Sequence, residues 1–125
     1  MKVRDSFKKA AAGSKWGEAA FKLQEDGSYF APCDSIAEAL KFMDDLCAAI
    51  DARVKYSVTC DVTGYHVKDG NKFEMEGAKA PVELDQIIDY YVKLCTDHPL
   101  IAYWEDSLAN DDIEGWHKLE VGFDN

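Results

Sequence analysis

Two carboxylates follow directly after segments of the chain that are predicted to be strands. Asp61 comes after an alternating segment, residues 54–60, and Glu105 comes after an apolar segment, residues 100–104. In α/β barrels and doubly wound sheets, carboxylates at the C-terminal ends of parallel strands face the ligand side. Two such acids on neighbouring strands can converge on one cation, and they can also hydrogen-bond to the loop backbone at the mouth of a barrel. Both interpretations of Asp61 and Glu105 are open at this point.

The histidines and cysteines offer weaker patterns. His66 lies in the loop after Asp61, where a single histidine is most often solvated. The four cysteines stand at positions 33, 47, 60 and 95 without a C-x-x-C pair. This spacing favours reduced, buried thiols in a cytosolic protein, and none of the three histidines stands at zinc-ligand spacing. Trp104 and Trp116 are expected to pack in the core.

The first half of the chain predicts two helices joined by a polar loop. An amphipathic helix over residues 3–12 ends at Gly13. A glycine-containing polar loop over residues 24–32 leads to a second helix that opens at Cys33-Asp34-Ser35. The alternating strand that ends before Asp61 comes next.

The second half predicts a hairpin, a helix, a strand and a last helix. Asp69-Gly70 is a turn signal between two short extended pieces. Pro81 stands where the first residue of a helix is favoured, and Asp97-His98-Pro99 ends that helix. Residues 100–104 then predict a buried strand, and Asn110 is a good N-cap for the last helix. The order of elements indicates an α/β fold.

Length and charge exclude several classes of partner. The 125 residues are enough for one domain with a modest core. The net charge of -10 excludes nonspecific attraction to nucleic acid or to an anionic membrane. No apolar stretch approaches the roughly 20 residues that span a bilayer, and the N-terminus lacks the apolar region of a secretory signal.

Three segments of the chain resemble the enolase family. The first resembles the family's Ser-Ile-Glu-Asp-Pro and the Asp-Asp-Trp-Glu-x-Trp helix start, through Tyr103-Trp104-Glu105-Asp106-Ser107 and Asp111-Asp112-Ile113-Glu114-Gly115-Trp116. The second resembles Met-Asp-Val-Ala-Ala-Ser-Glu, through Cys60-Asp61-Val62-Thr63-Gly64-Tyr65-His66. The third resembles the end of Gly-Asp-Glu-Gly-Gly-Phe-Ala-Pro, through Phe30-Ala31-Pro32.

The resemblance implies a partial (β/α) barrel of TIM type and a metal site. Residues 1–125 would form one segment of the enolase barrel domain, an early-middle slice of about a quarter to a third of an ordinary enolase. In that family the acids that match Asp61 and Glu105 bind magnesium, so both are magnesium ligands by resemblance. The family's reaction is the dehydration of 2-phosphoglycerate to phosphoenolpyruvate in glycolysis, which makes it a lyase of the cytoplasm.

The resemblance also implies a change at the acid/base position. Counting back from Phe30-Ala31-Pro32, the family's aspartate falls on Asp26 and its catalytic glutamate falls on Gly27. Glycine cannot transfer a proton, and using Glu25 instead would require a shifted loop. The family's third metal ligand and its lysine base come later than Asn125, so no catalytic residue is expected in this chain.

Three explanations of such a chain compete. It could be a noncatalytic enolase-like protein, a structural or interaction subunit whose protein partners complete or cover the partial barrel. It could be a segment of a magnesium-dependent enolase that is active only with the missing barrel parts, or a truncated product that folds poorly. The change at Gly27 favours the first explanation. Divergent enolase-like proteins occur in assemblies such as the ciliary central apparatus, which implies a cytoplasmic or cytoskeletal location.

Overall fold

The structure is a computed structural model, and it describes residues 2–17, 22–75 and 77–124. The chain divides into two compact units, Met1–Val54 and Lys55–Asn125. In the described part, no helix is long and apolar enough to cross a membrane. The assignment of residues 1–125 to one domain segment stays a prediction.

The first unit contains two helices that pack through aromatic side chains. Helix α1 is Lys2–Ala12 and helix α2 is Ile36–Ala49, close to the predicted bounds. Ser35 begins α2 as predicted, because its Oγ accepts a hydrogen bond of 3.0 Å from the backbone N–H of Glu38. Phe42 on α2 contacts the rings of Phe7 and Trp16, with centroids 5.6 and 4.4 Å away. Burying these rings holds the two helices together.

The second unit alternates short strands with helices, as the sequence predicts. Strand β1 is Tyr56–Thr59, and a single 3₁₀ turn, Val62–Gly64, follows it. The remaining elements in chain order are β2 (His66–Val67), β3 (Lys72–Phe73), α3 (Leu84–Asp97), β4 (Ile101–Glu105) and α4 (Ile113–Asp124). This composition confirms the α/β class, and the described strands do not close a barrel.

The pairing of the strands confirms two predictions. β1 and β4 are parallel neighbours, with Thr59 opposite Glu105. β2 and β3 are antiparallel and form the hairpin predicted around Asp69-Gly70. β1, the hairpin, α3 and β4 therefore form one β-α-β unit with a hairpin inserted before its helix, an arrangement that needs a crossover helix because the outer strands are parallel.

Helix α3 and the hairpin enclose the core of the second unit. Phe73 and Leu108 are fully buried, and Tyr91 is 4% exposed. On α3, the side chains of Ile87, Ile88 and Tyr91 are buried and form the face that the helix turns to the core. Leu94 is also buried, whereas Cys95 is half-buried and accepts a hydrogen bond from Trp104 Nε1 at 2.8 Å.

Two predicted helix starts are wrong. The third helix does not begin at Pro81, because Val82 still pairs with Phe73 through two backbone hydrogen bonds of 2.9 and 2.8 Å. Glu83 caps that helix instead, by exchanging hydrogen bonds with Gln86 in a capping box. Asn110 does not cap α4, because Asp112 Oδ1 accepts the backbone N–H of Gly115 at 2.8 Å.

The last predicted strand is shifted and more exposed than expected. β4 runs over Ile101–Glu105, so Glu105 is its final residue rather than the residue after it. Tyr103 is 56% exposed, and the expectation of a buried strand is therefore wrong for the second unit considered alone. An apolar run of five residues cannot show from its composition which neighbours cover it.

Helices α3 and α4 approach closely at Gly122. A β-carbon placed on this glycine would lie 3.2 Å from Val92 Cγ2 and 3.3 Å from Ile88 Cγ2. Overpacking costs about 1–3 kcal/mol, and the change from glycine to alanine in a helix gains about 1 kcal/mol. Gly122→Ala should therefore lower the free energy of unfolding by about 1 kcal/mol. Urea unfolding measures this difference.

Gly13→Ala is the matched control for Gly122→Ala. Its added carbon would lie 3.7 Å from the nearest atom, Ala10 O, an ordinary contact. We expect a change within about 0.5 kcal/mol for this control. A Gly122→Ala protein more stable than the parent would show that the two helices separate easily at this point.

Candidate functional site

Asp61 and Glu105 lie at the same edge of the parallel β1–β4 pair. The backbone N–H of Cys60 donates to Glu105 O at 2.9 Å, and the N–H of Val62 donates to Asp106 O at 3.1 Å. Asp61 lies between these two hydrogen bonds, so it stands beside Glu105 and Asp106 where both strands end. The predicted juxtaposition of the two acids on neighbouring parallel strands is therefore present in the fold.

The backbone at this edge adopts an uncommon conformation. Asp61 has φ 46° and Asp106 has φ 52°, both in the left-handed region. Aspartate tolerates this region better than most residues, but such positions are still a few per cent of non-glycine residues. Both strands therefore end in sharp turns at the acids. In proteins generally, backbone strain of this kind is concentrated at active sites and ligand-binding segments.

Glu105 has a defined partner at the strand end. Thr59 Oγ1 donates a hydrogen bond of 2.9 Å to Glu105 Oε2. Thr59 and Glu105 are opposite each other in the sheet, so the bond joins the two strands across the edge. The hydroxyl fixes one carboxylate oxygen of an otherwise exposed side chain. A glutamate oriented in this way is better prepared to bind a ligand than a freely rotating one.

The loop that contains Gly27 is a closed turn. The backbone N–H of Gly27 donates to Gln24 O at 3.0 Å, and Gly27 has φ 80°. Leu23 and Tyr29 form an antiparallel bridge on either side of the turn. Asp26 Oδ1 accepts the N–H of Ser28 at 2.8 Å, and hydrogen bonds from Ser28 lower the pKa of Asp26.

Tyr29 attaches this loop to the first helix. Its ring stacks on Phe7 with the centroids 5.4 Å apart and the planes at 15°. The Arg4 guanidinium lies 5.6 Å from the centroid of the same ring, a cation–π contact. By resemblance Tyr29 stands at a glycine of the family's loop. Tyr29 therefore packs this loop against α1.

The hairpin contains a polar cluster that the sequence did not indicate. His66 Nε2 lies 2.7 Å from Asn71 Oδ1, and Asn71 Nδ2 donates to Asp112 Oδ2 at 2.8 Å. The three residues line a cleft of about 630 Å³ together with Lys68 and Asp106. His66 was expected to be solvated, and that is wrong, because its ring is half-buried, bonded to Asn71 and 5.1 Å from the Phe73 ring.

Behind β1 and β4 lies a buried neutral cluster. Ser107, fully buried, stands where the resembling motif has proline, and its carbonyl accepts the Tyr91 hydroxyl at 3.1 Å. Burial raises the pKa of Tyr91 and of the Cys60 thiol, whose Sγ lies 3.9 Å from Ser107 Oγ. Both groups stay neutral at physiological pH, so they support the sheet and supply no nucleophile.

The tryptophans and cysteines have structural surroundings. The Trp104 ring lies 5.1 Å from that of Tyr91 and 6.1 Å from that of Phe123. Trp116 Nε1 donates to Ala109 O at 2.9 Å. These contacts confirm the prediction that both tryptophans pack. All four cysteines are thiols rather than disulfides, and Cys47 is buried whereas the other three are half-buried.

Comparison with known proteins decides the family. The family described as the enolase C-terminal TIM barrel domain matches residues 2–125, which is almost the whole chain. The chain belongs to the enolase family. The expected kinship with the enolase barrel domain is thereby confirmed, and the parallel β1–β4 pair is consistent with a partial barrel.

Curated enolases give the extent of the similarity. The enolase of Methanococcus aeolicus is 31% identical over 108 residues, covering 85% of this chain and 25% of the relative. The enolase of Rubrobacter xylanophilus is 31% identical over 105 residues, with 79% and 23% covered. The enolase of Campylobacter jejuni strain RM1221 is 40% identical over 72 residues, with 58% and 16% covered. The chain spans about a quarter of the length of the first of these enolases.

The enolase-type metal site can be tested against the donors that are present. Carboxylates at one strand edge are the chemistry that magnesium prefers, and the cation often binds one or two carboxylates with water and substrate oxygens. Asp61 and Glu105 fit this in type and position. Among the described residues, however, no group of three histidine, cysteine, aspartate or glutamate side chains could hold a metal ion. The two acids would thus supply only part of a coordination shell.

Sequence reasoning missed His66, Asn71 and Asp112 as a unit. Asn71 follows His66 by five positions and Asp112 follows Asn71 by 41 positions, so no local spacing connects the three residues. The Asp69-Gly70 turn was the available signal, because a hairpin turn brings the residues on its two sides together. Nothing local predicts that α4 begins beside the same turn.

Proposed function

We propose that this chain is an enolase-like protein that is catalytically inactive by itself and serves as a structural or interaction subunit of a larger assembly. Its protein partners would complete or cover the partial barrel. Neither nucleic acid nor membrane is expected among these partners, because the net charge is -10. A cytoplasmic location, with a cytoskeletal or ciliary assembly as its narrower form, belongs to this proposal.

The observation that carries the proposal is the turn at Gly27. By resemblance, this position holds the glutamate of the family's acid/base step. Gly27 has φ 80° in a hydrogen-bonded turn, so the loop is adapted to glycine rather than left with a vacant acid position. Any residue other than glycine is strained at such a φ. The geometry of the turn therefore favours glycine over glutamate at this position.

The neighbouring acids are poor replacements for that glutamate. A general acid works best when its pKa is near the operating pH. Hydrogen bonds from Ser28 instead lower the pKa of Asp26, so this side chain is ionised at neutral pH and cannot donate a proton. Glu25 is exposed on the same turn, and using it in place of the glutamate would require a shifted loop.

The sheet supports a role that depends on partners. In the described part of the second unit, β1 and β4 pair with each other alone. Each therefore has an outer edge of backbone groups with no neighbouring strand, and Tyr103 on β4 is 56% exposed. Edges of this kind are covered in native proteins, and barrels remove them by closing.

The alternative is a segment of a magnesium-dependent enolase that acts with the remaining barrel parts. Asp61 and Glu105 favour this alternative, since by resemblance they match the family's magnesium ligands and they lie beside each other at the ends of β1 and β4. Thr59 Oγ1 also orients Glu105, by donating a hydrogen bond of 2.9 Å to its Oε2. In that case the two carboxylates would bind magnesium, which would stabilise the charge that develops on the substrate. The proton transfer would have to come from residues other than Gly27.

Purification of the native assembly separates the two functions. The tagged chain is isolated from its source cells under gentle conditions, and 2-phosphoglycerate dehydration is assayed with magnesium for the assembly and for the chain alone. We expect an assembly larger than the chain that shows no turnover. Turnover by the assembly that is lost in the Glu105→Gln variant would establish the alternative. A chain that is monomeric in cells would overturn the subunit role.

A further inference from the structure

We infer that His66, Asn71 and Asp112 form a directional hydrogen-bond chain that holds neutral His66 as its Nε2–H tautomer and ties the β2–β3 hairpin to the first turn of α4. The two links of the chain measure 2.7 and 2.8 Å. The inference concerns this cluster alone and does not depend on the proposed function.

Asp112 sets the direction of the hydrogen-bond chain, that is, which group donates and which accepts in each link. Hydrogen bonding by Asn71 and by the Gly115 N–H lowers the pKa of this carboxyl, so it is ionised and can only accept. One oxygen accepts the Gly115 N–H at 2.8 Å, and the other accepts from Asn71. The amide of Asn71 must therefore present Nδ2 to Asp112, which turns its carbonyl oxygen to His66.

The orientation of Asn71 decides the tautomer of His66. Asn71 Oδ1 is an acceptor, so the ring nitrogen 2.7 Å away must carry a hydrogen. That nitrogen is Nε2, and a neutral imidazole has one N–H, so Nδ1 is left as an acceptor with a lone pair. The Phe73 ring, 5.1 Å away at 35°, packs against the imidazole and limits its rotation.

The chain also joins two elements that the backbone does not pair. His66 belongs to β2 and Asn71 to the hairpin turn, whereas Asp112 precedes α4. Asn71 has φ 48°, a left-handed conformation in which its amide reaches both partners. Lys68, Asp106 and Asp111 line the same cleft, and Lys118 adds a positive charge near Asp112.

Nitrogen-15 NMR of the histidine rings tests the inference on the full chain. Long-range ¹H–¹⁵N spectra at about pH 8.5, roughly two units above the ordinary imidazole pKa, distinguish the two tautomers of each neutral ring. We expect His66 to show the Nε2–H pattern. His117, which is exposed and 3.8 Å from Glu120, gives the averaged pattern of a mixture in the same spectrum.

Asp112→Asn is the decisive variant because asparagine is also a good N-cap and keeps α4 in place. Its amide can donate as well as accept, so Asn71 is free to flip and His66 can take the other tautomer. The tautomer ratio of His66 should shift by about tenfold, the equivalent of one hydrogen bond. Asn71→Ala should give the same shift and speed amide exchange in the hairpin.

Three results would overturn the inference. The first is an Nδ1–H or mixed His66 in the parent protein. The second is an unchanged His66 tautomer ratio in a folded Asp112→Asn protein. The third is an Asn71→Ala protein whose hairpin amides exchange as slowly as those of the parent. That result would mean that the hydrogen bonds of Asn71 do not hold the hairpin in place.

Discussion

Phe73→Ala should lower the free energy of unfolding by about 3–5 kcal/mol, the range for removing a large buried aromatic side chain. Phe73 is fully buried on β3 of the hairpin, and its ring lies 5.1 Å, between centroids, from that of His66 on β2. Its backbone also pairs with Val82 through hydrogen bonds of 2.9 and 2.8 Å. The backbone of Phe73 thus joins the hairpin to the segment that leads into α3, and its side chain packs in the same core cluster as Val82 and Ile87.

Chemical denaturation followed by tryptophan fluorescence measures the effect of Phe73→Ala, because Trp104 and Trp116 report on the second unit. Tyr65→Ala is the control, since Tyr65 is close in sequence and 54% exposed. The control should change stability by about 0.5 kcal/mol or less. A loss below about 1 kcal/mol in Phe73→Ala would show that the hairpin is not packed on the core.

Asp112→Ala should have the second largest effect, a loss of about 2–3 kcal/mol. The variant removes an N-cap, which costs about 0.5–2 kcal/mol. It also removes the charged acceptor of Asn71, a hydrogen bond worth about 1.5–3 kcal/mol, and the two effects overlap because one carboxylate makes both contacts. Asp111→Ala is the control, since Asp111 is the exposed neighbour.

The contribution of Asp112 should depend on pH. Hydrogen bonds from Asn71 and from the Gly115 N–H, with the charge of Lys118, lower the pKa of Asp112 from its ordinary value of 3.8. A lowered pKa in the folded state gives stability that is present above 3.8 and is lost as the pH falls through the folded-state value. The difference in the free energy of unfolding between the parent and Asp112→Ala should therefore become smaller in acid. A difference that stays constant there would contradict the stabilising role of the Asp112 carboxylate.

The elements with a clear pattern were predictable from the sequence. Ser35 with Glu38 three residues later defines the start of α2, and the alternation before Asp61 defines β1. Asp69-Gly70 defines the hairpin because a short turn is a local property. Resemblance, rather than pattern, led to the enolase barrel, whereas the positions of Asp61 and Glu105 after two predicted strands indicated that the two acids could lie together.

The helix starts and the polar cluster were not predictable because they depend on distant contacts. Pro81 suits a helix start, yet Val82 pairs with Phe73 and delays the helix to Leu84. Asn110 and Asp112 are both good caps, and Asp112 is also bonded to Asn71 across the fold. Local preference is a weak guide where a tertiary contact competes with it.

The position of Gly27 gives the most direct test of the proposed loss of the acid/base step. The matching segment of the Methanococcus aeolicus enolase, 31% identical over 108 residues, is replaced by the residues of this chain. Dehydration of 2-phosphoglycerate is then compared between the chimera with Gly27 and the chimera with Gly27→Glu. We predict that the glutamate raises the rate by about 10²–10⁴-fold, the usual contribution of general acid–base catalysis. A Gly27 chimera as fast as the parent enolase would contradict the account.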